Sequence, residues 1–179
     1  MHRIVASITT LEQHLDAVLA RPEAYRPQAC PHCRSGGLWR HGCYHRKADR
    51  RAAAGAGSRN PVAVLRFLCR QCRGTCSRLP LCIAPRRWYD WALQQVVLAL
   101  LLAGCSVHSC SACSGRSRRT VRRWRDWLQA RGEQFAFCLR SRLPELGRWP
   151  DEAAMWRHVI DAMPLAQAMA WLDRELIVP

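Results

Sequence analysis

The spacing of apolar positions changes character along the chain. Thr10-Leu11-Glu12-Gln13 has a capping-box pattern, with Thr10 as cap and Gln13 three residues on, and predicts a helix in which Leu11, Leu15, Val18 and Leu19 share a face. Pro22 and Pro27 end it. Two segments rich in β-branched and aromatic residues, Leu38 to His45 and Val62 to Leu68, then predict strands. Cys76 to Pro85 reads as an irregular connector, because Pro80 and Pro85 exclude helix. Beyond it the period becomes helical. Trp88 to Ala103 predicts a helix that is apolar on nearly all sides in its second half, and so is covered by neighbours, with Gly104 as its stop.

Ser106 caps a short helix through Cys113, Ser114-Gly115-Arg116 makes a tight turn, and Ser117 caps a further helix through Gln129. The tail predicts three more helices, Glu133 to Leu143, Asp151 to Ala162, and one through Leu176 with Pro164 as first residue. The fold class is therefore α+β, a small β-hairpin module followed by a mainly α-helical region. Four segments are expected: an N-terminal helix and linker (1–28), the hairpin module with a basic insert (29–85), a helix-turn-helix (86–131) and a helical tail (132–179). Met155, Trp156, Val159, Ile160, Leu165, Met169, Trp171, Leu172 and Leu176 of the tail read as packing or as a homodimer face.

Cysteine spacing explains the hairpin. Cys30-Pro31-His32-Cys33 and Cys69-Arg70-Gln71-Cys72 are two Cys-x-x-Cys pairs facing each other across the insert, the spacing at which two tight turns aim four thiolates at one Zn2+. Gly36-Gly37 and Arg73-Gly74 are expected to let the chain reverse beside each pair. His32, His41, Cys43, His45 and Cys76 lie near enough to replace one of the four ligands. Cys110-Ser111-Ala112-Cys113, with Cys105 and His108 beside it, has the same spacing inside a helix. Packing is expected there, a second metal site or redox pair being the alternative.

The charge is one-sided. Formal net charge is +15, and between residues 30 and 125 nineteen Lys and Arg residues stand against Asp49 and Asp90 alone. A block of one sign repels itself until something anionic neutralises it, which points to nucleic acid ahead of an acidic membrane. The longest apolar run, Val96 to Ala103, falls far short of the roughly 20 residues a spanning helix needs, and residues 1–7 lack the apolar core of a signal sequence. Eleven cysteines, an odd number, fit a reducing cytoplasm with metal-bound and packed thiols.

The cations concentrate on the helix after Ser117. At 100° per residue, Thr120, Val121, Trp124, Trp127 and Leu128 gather on one side, and Arg118, Arg122, Arg125 and Gln129 form a row on the other, flanked by Arg119 and Arg123. A short helix, a glycine turn and an arginine-faced helix suit the major groove of double-stranded DNA. Arg118, Arg119 and Arg122 are placed for base edges, and Arg116, Arg123 and Arg125 for phosphates. Arg46 and Lys47, at the base of the Ala52–Ser58 hairpin tip, offer further phosphate contacts; the tip itself has nothing to bury and is expected to be mobile.

Cys30-Pro-His-Cys33, Trp39 to Tyr44, Arg66 to Ser77 and Thr120 to Trp124 together resemble the zinc-ribbon and helix-turn-helix front end of bacterial insertion-sequence transposases, and short transposase-like proteins containing only that part. The resemblance covers about residues 29 to 131 and implies Cys30, Cys33, Cys69 and Cys72 as zinc ligands and residues 117–129 as readers of element ends. Cys76 stands where such families often carry phenylalanine, and Cys110 where alanine is usual. Residues 132–179 are too short and too helical for the ribonuclease-H-like domain that would follow in such an enzyme, so the expectation is a DNA-binding protein without its own catalysis. A transcriptional regulator with a dimerising tail, a hydrolytic zinc enzyme and an RNA binder are the other readings.

Overall fold

The computed structural model describes residues 3–49, 57–85, 89–141, 143–144 and 151–174. The chain divides into two units, residues 1–90 and residues 91–178. The expected hairpin tip and Trp88, the expected start of the long helix, fall mainly outside the described residues, as does Leu176.

In the first unit, β1 (Ile4–Val5) precedes α1 (Leu11–Ala20), a 3-10 turn (Pro22–Tyr25), β2 (Leu38–Arg46), β3 (Val62–Cys69), β4 (Thr75–Cys76) and β5 (Leu79–Pro80). β2, β3 and β4 form an antiparallel sheet in that order, with a bulge between Arg40 and Cys43, while β1 pairs in parallel with β5. The connector expected over Cys76 to Pro85 therefore contains strand. Pro80 is compatible with it because a two-residue edge strand needs few donors.

Thr10 caps α1 as expected: its hydroxyl accepts from the Gln13 amide, and the Gln13 side chain accepts from the Thr10 amide. The buried face of α1 differs from the expected one. His14 and Ala17 point into the core, with Leu11, Leu15 and Val18 half-buried, while Leu19 is 83% exposed. His14 can be buried because both ring nitrogens are engaged, Nδ1 with the Tyr25 hydroxyl at 2.6 Å and Nε2 with the Ala63 carbonyl at 2.8 Å. Burial holds the imidazole below its usual pKa, and burial also raises that of Tyr25.

One face of the sheet packs Leu38, Leu65, Phe67, Cys30 and Cys69 against Val5, Ile8, Ala17 and Tyr25. On the other, Val62 and Val64 meet Leu79, Ile83 and Tyr44. The base of the basic insert is tied down: Asp49 is buried, its carboxylate accepts from the Arg59 amide, and its backbone bonds both ways with the Asn60 side chain. Arg59 also pairs with Glu12 of α1.

The second unit is helical: α2 (Trp91–Leu102), α3 (Val107–Ser114), α4 (Arg118–Ala130), α5 (Gly132–Arg140), α6 (Glu152–Ala162) and α7 (Leu165–Arg174). α5 ends before Leu143, although the Leu143 amide still donates to the Leu139 carbonyl. α2 packs against α3, α4, α6 and α7, which explains its apolar second half, though Val96 remains 56% exposed. Gly104, at φ +89°, ends it: its amide donates to Leu101 and that of Cys105 to Leu100, closing a Schellman motif. The tail helices join this core. Trp156, Phe135, Leu139, Met155, Leu165 and Met169 are fully buried, and Phe135 meets the Trp156 ring edge-on at 5.6 Å between centroids. Gln95 of α2 accepts from the Leu165 amide at 2.7 Å, capping the first turn of α7.

No described helix is long and apolar enough to cross a membrane.

Candidate metal centre and nucleic-acid interface

The two Cys-x-x-Cys turns are built alike. In the first, the Cys30 amide donates to the Ser35 carbonyl and the Arg34 amide to the Cys30 carbonyl; in the second, Cys69 donates to Gly74 and Arg73 to Cys69. Chain reversal occurs at the residue after each second cysteine. Arg34 and Arg73 take φ values of 63° and 61°, a left-handed conformation in non-glycine residues; Arg73 belongs to the expected Arg73-Gly74 pair, whereas in the first turn Arg34 precedes the expected Gly36-Gly37. Gly37 is left-handed too, and Gly74 has a different role: a Cβ there would come 2.8 Å from His32 Cδ2 and 3.3 Å from Cys72 Sγ.

The folded sheet brings Cys30, Cys33, Cys69 and Cys72 together, their sulfurs all within 4.8 Å of one another. Cys30 Sγ lies 3.5 Å from Cys72 Sγ, and Cys33 Sγ 3.6 Å from Cys69 Sγ. These separations are far too long for disulfides. They lie close to the edge of about 3.8 Å that a tetrahedron of thiolates has around an ion 2.3 Å from each sulfur. Cys30 and Cys69 are buried and Cys33 and Cys72 exposed, so each turn roots one ligand in the core and offers one at the surface. Burial disfavours the Cys30 thiolate, but the amides of Cys33 and His32 and the neighbouring thiols of Cys72 and Cys69 outweigh it and lower the pKa to about 6. The Gly74 amide favours the Cys72 thiolate, whereas burial and the other three thiols push it up to about 12. Negative charge crowded among four sulfurs is relieved by a bound cation, so the donor set fits a metal ion.

Among the described residues these four alone make a cluster of three or more metal-capable groups. His32, His41, Cys43, His45 and Cys76 do not join it. Cys43 is exposed on β2, and Cys76 packs against the core, where burial, with Cys30 and Cys69 nearby, raises its thiol to about 11. Cys105, His108, Cys110 and Cys113 form no such cluster either: Cys110 is buried and Cys113 exposed.

The turn and caps around α4 follow the sequence. Gly115 adopts a left-handed φ of 64°, the Ser106 hydroxyl accepts from Ser109 and that of Ser117 from Thr120. Val121, Trp124 and Leu128 are buried, with Thr120 and Trp127 half-buried. Arg118, Arg119, Arg122, Arg123 and Gln129 are exposed. The expected row needs adjustment, because the face opposite the core is centred on Arg119, Arg122, Arg123 and Asp126, which together with Thr120 line one open depression. Arg125 lies to the side, half-buried, its guanidinium 3.0 and 3.1 Å from the Asp126 carboxylate. Arg116 is also partly engaged, donating to the Ser114 carbonyl at 3.0 Å, and Arg46 donates to the Ala84 carbonyl at 3.4 Å. Lys47 is exposed. No family model, curated protein or solved structure matches this chain.

Proposed function

We propose that this chain is a zinc-stabilised protein that binds double-stranded DNA through α4 and carries no catalysis of its own. The observation that supports it most is the helix face bearing Arg118, Arg119, Arg122 and Arg123, all exposed, opposite a buried Val121–Trp124–Leu128 seam, in a chain of net charge +15. A helix of this kind fits the major groove, where arginine bonds bidentately to guanine and holds phosphates. Zinc is the metal that best suits four thiolates in a tetrahedron, and such a site is closed, with no open position for a hydrolytic water. It holds the first unit together, contributing on the order of 10 kcal/mol to folding. Exposed cations such as Lys47 add phosphate contacts. A reducing cytoplasm is the compartment in which these thiols persist.

The resemblance of residues 29–131 to insertion-sequence transposases makes a mobile-element product the leading biological setting. A transcriptional regulator is the second reading. It requires a dimer, and the tail's Met155, Trp156, Val159, Leu165, Met169 and Leu172 are buried within the chain's own core, which favours the first.

The test is a salt series on a labelled 20-base-pair duplex. Each cation that neutralises a phosphate contributes about −0.9 to the log–log slope, so affinity is expected to fall steeply with salt. Arg122→Ala is expected to weaken binding about tenfold. A slope near zero, or equal affinity of wild type and Arg119→Ala/Arg122→Ala, excludes α4 as the contact. A footprint at terminal inverted repeats supports the mobile-element setting, and a palindromic one the regulator.

A further inference from the structure

β2 and β3 expose a second surface, in the first unit, that the duplex reading does not use. Trp39 pairs with Leu68 across the sheet and is 60% exposed, although most of its sheet neighbours on β3 are buried. Alternation along β3 places Leu68, Arg66 and Val64 on one face, and register adds Trp39 opposite Leu68 and Tyr44 opposite Val64. Arg66 is exposed and lies over the Tyr44 ring, 5.6 Å from its centroid. The open part of this face therefore presents an indole and a guanidinium, the guanidinium resting over the half-buried Tyr44 ring. The Val62 and Val64 end of the same face is covered by Leu79 and Ile83, so only the Trp39–Arg66 end is open.

A lone exposed tryptophan needs no explanation. Here the ring sits on a hydrogen-bonded sheet that also carries an arginine held over a second aromatic, within the cationic block of residues 30–125. Flat aromatic rings interleaved with arginine on a sheet surface recognise unpaired bases, by stacking on the ring while the guanidinium holds the backbone. A duplex cannot use such a platform, because its bases are stacked on one another. The choice of deoxyribose rests on the DNA-binding function proposed above, because a 2′-hydroxyl both donates and accepts and Arg66 or Tyr44 can bond it.

The geometry points to the Trp39–Arg66–Tyr44 face of the sheet as a stacking platform for an unpaired base of single-stranded DNA, distinct from the duplex-binding face of α4. Binding of the full-length, zinc-loaded protein to oligo-dT of 20 nucleotides, to oligo-rU of 20 nucleotides and to a 20-base-pair duplex tests it by fluorescence anisotropy at low salt. Trp39→Ala is expected to weaken oligo-dT binding about tenfold and duplex binding less than twofold, Trp39→Phe to retain most of the oligo-dT affinity, and Arg66→Ala to lose several-fold. Arg119→Ala/Arg122→Ala is expected to do the reverse, so failure of the two binding modes can be told apart. Metal content and melting temperature of each variant establish that the sheet is intact. The proposal is overturned if wild type ignores oligo-dT, if Trp39→Ala leaves that affinity unchanged or lowers single- and double-stranded binding alike, or if oligo-rU binds more tightly and carries the Trp39 dependence.

Discussion

Arg34 and Arg73 each occupy a left-handed backbone position that costs an L-residue about 1–2 kcal/mol, at equivalent places in the two metal turns. Glycine removes that cost and returns part of it through the greater freedom of the unfolded chain. Arg73→Gly is therefore expected to raise the stability of the zinc-loaded first unit by about 0.5–1 kcal/mol, read as an increase in melting temperature; a decrease means the Arg73 side chain contributes more than its backbone costs. At Gly74 a methyl group would require the exposed His32 ring to turn aside and would press on the Cys72 sulfur. A second residue-level prediction concerns His14. Its folded pKa lies below the ordinary 6.5, so below that pH the unfolded chain binds a proton the folded chain refuses. The stability it confers is complete above pH 6.5 and declines as pH falls through the window beneath. Urea unfolding at pH 7.5 and 5.5 measures this, and His14→Gln, which keeps a donor for the Ala63 carbonyl, is expected to show less of the decline.

At the level of the element, α4 owes its orientation to three apolar residues and its chemistry to what remains outside them. Asp126 interrupts the arginine face and draws Arg125 to itself. Asp126→Asn is expected to tighten duplex binding about threefold at low salt, the gain shrinking as salt screens it. Weaker binding instead would mean that the carboxylate meets a donor on the DNA, such as the amino group of cytosine. β2 and β3 show a related economy, one face serving the core and the other split between a covered end and an open one. Alternation alone cannot predict such a split, because it depends on where Leu79 and Ile83 return.

For the whole molecule, two units with separate cores imply separate responses to metal removal. The first unit has a three-stranded sheet whose ends are joined at the four cysteines, whereas the second buries Trp124, Trp156, Phe135 and Met169 without any cluster of metal ligands among its described residues. A strong chelator, or Cys69→Ser, is expected to abolish the near-ultraviolet signal of the first unit and expose Tyr25, while the helical far-ultraviolet signal of α2 to α7 largely persists. Complete loss of helix on chelation would show that the second unit depends on the first.

The sequence by itself determined the features that depend on short-range geometry. Two-residue gaps define the metal turns, Thr10, Ser106 and Ser117 announce their helices through local side-chain bonds, and the 3.6-residue period separates the arginines of α4 from Val121, Trp124 and Leu128. Tertiary structure decided what depends on residues distant in the chain. Which of several nearby cysteines and histidines converge was settled by β2–β3 register, and the buried face of α1 by Tyr25 and Ala63, which together satisfy the His14 imidazole, a residue outside the apolar face expected for this helix. The β1–β5 pairing, the Gln95 cap on α7 and the open end of the sheet at Trp39 have the same origin: each joins segments tens of residues apart, and a local pattern carries no record of its partner.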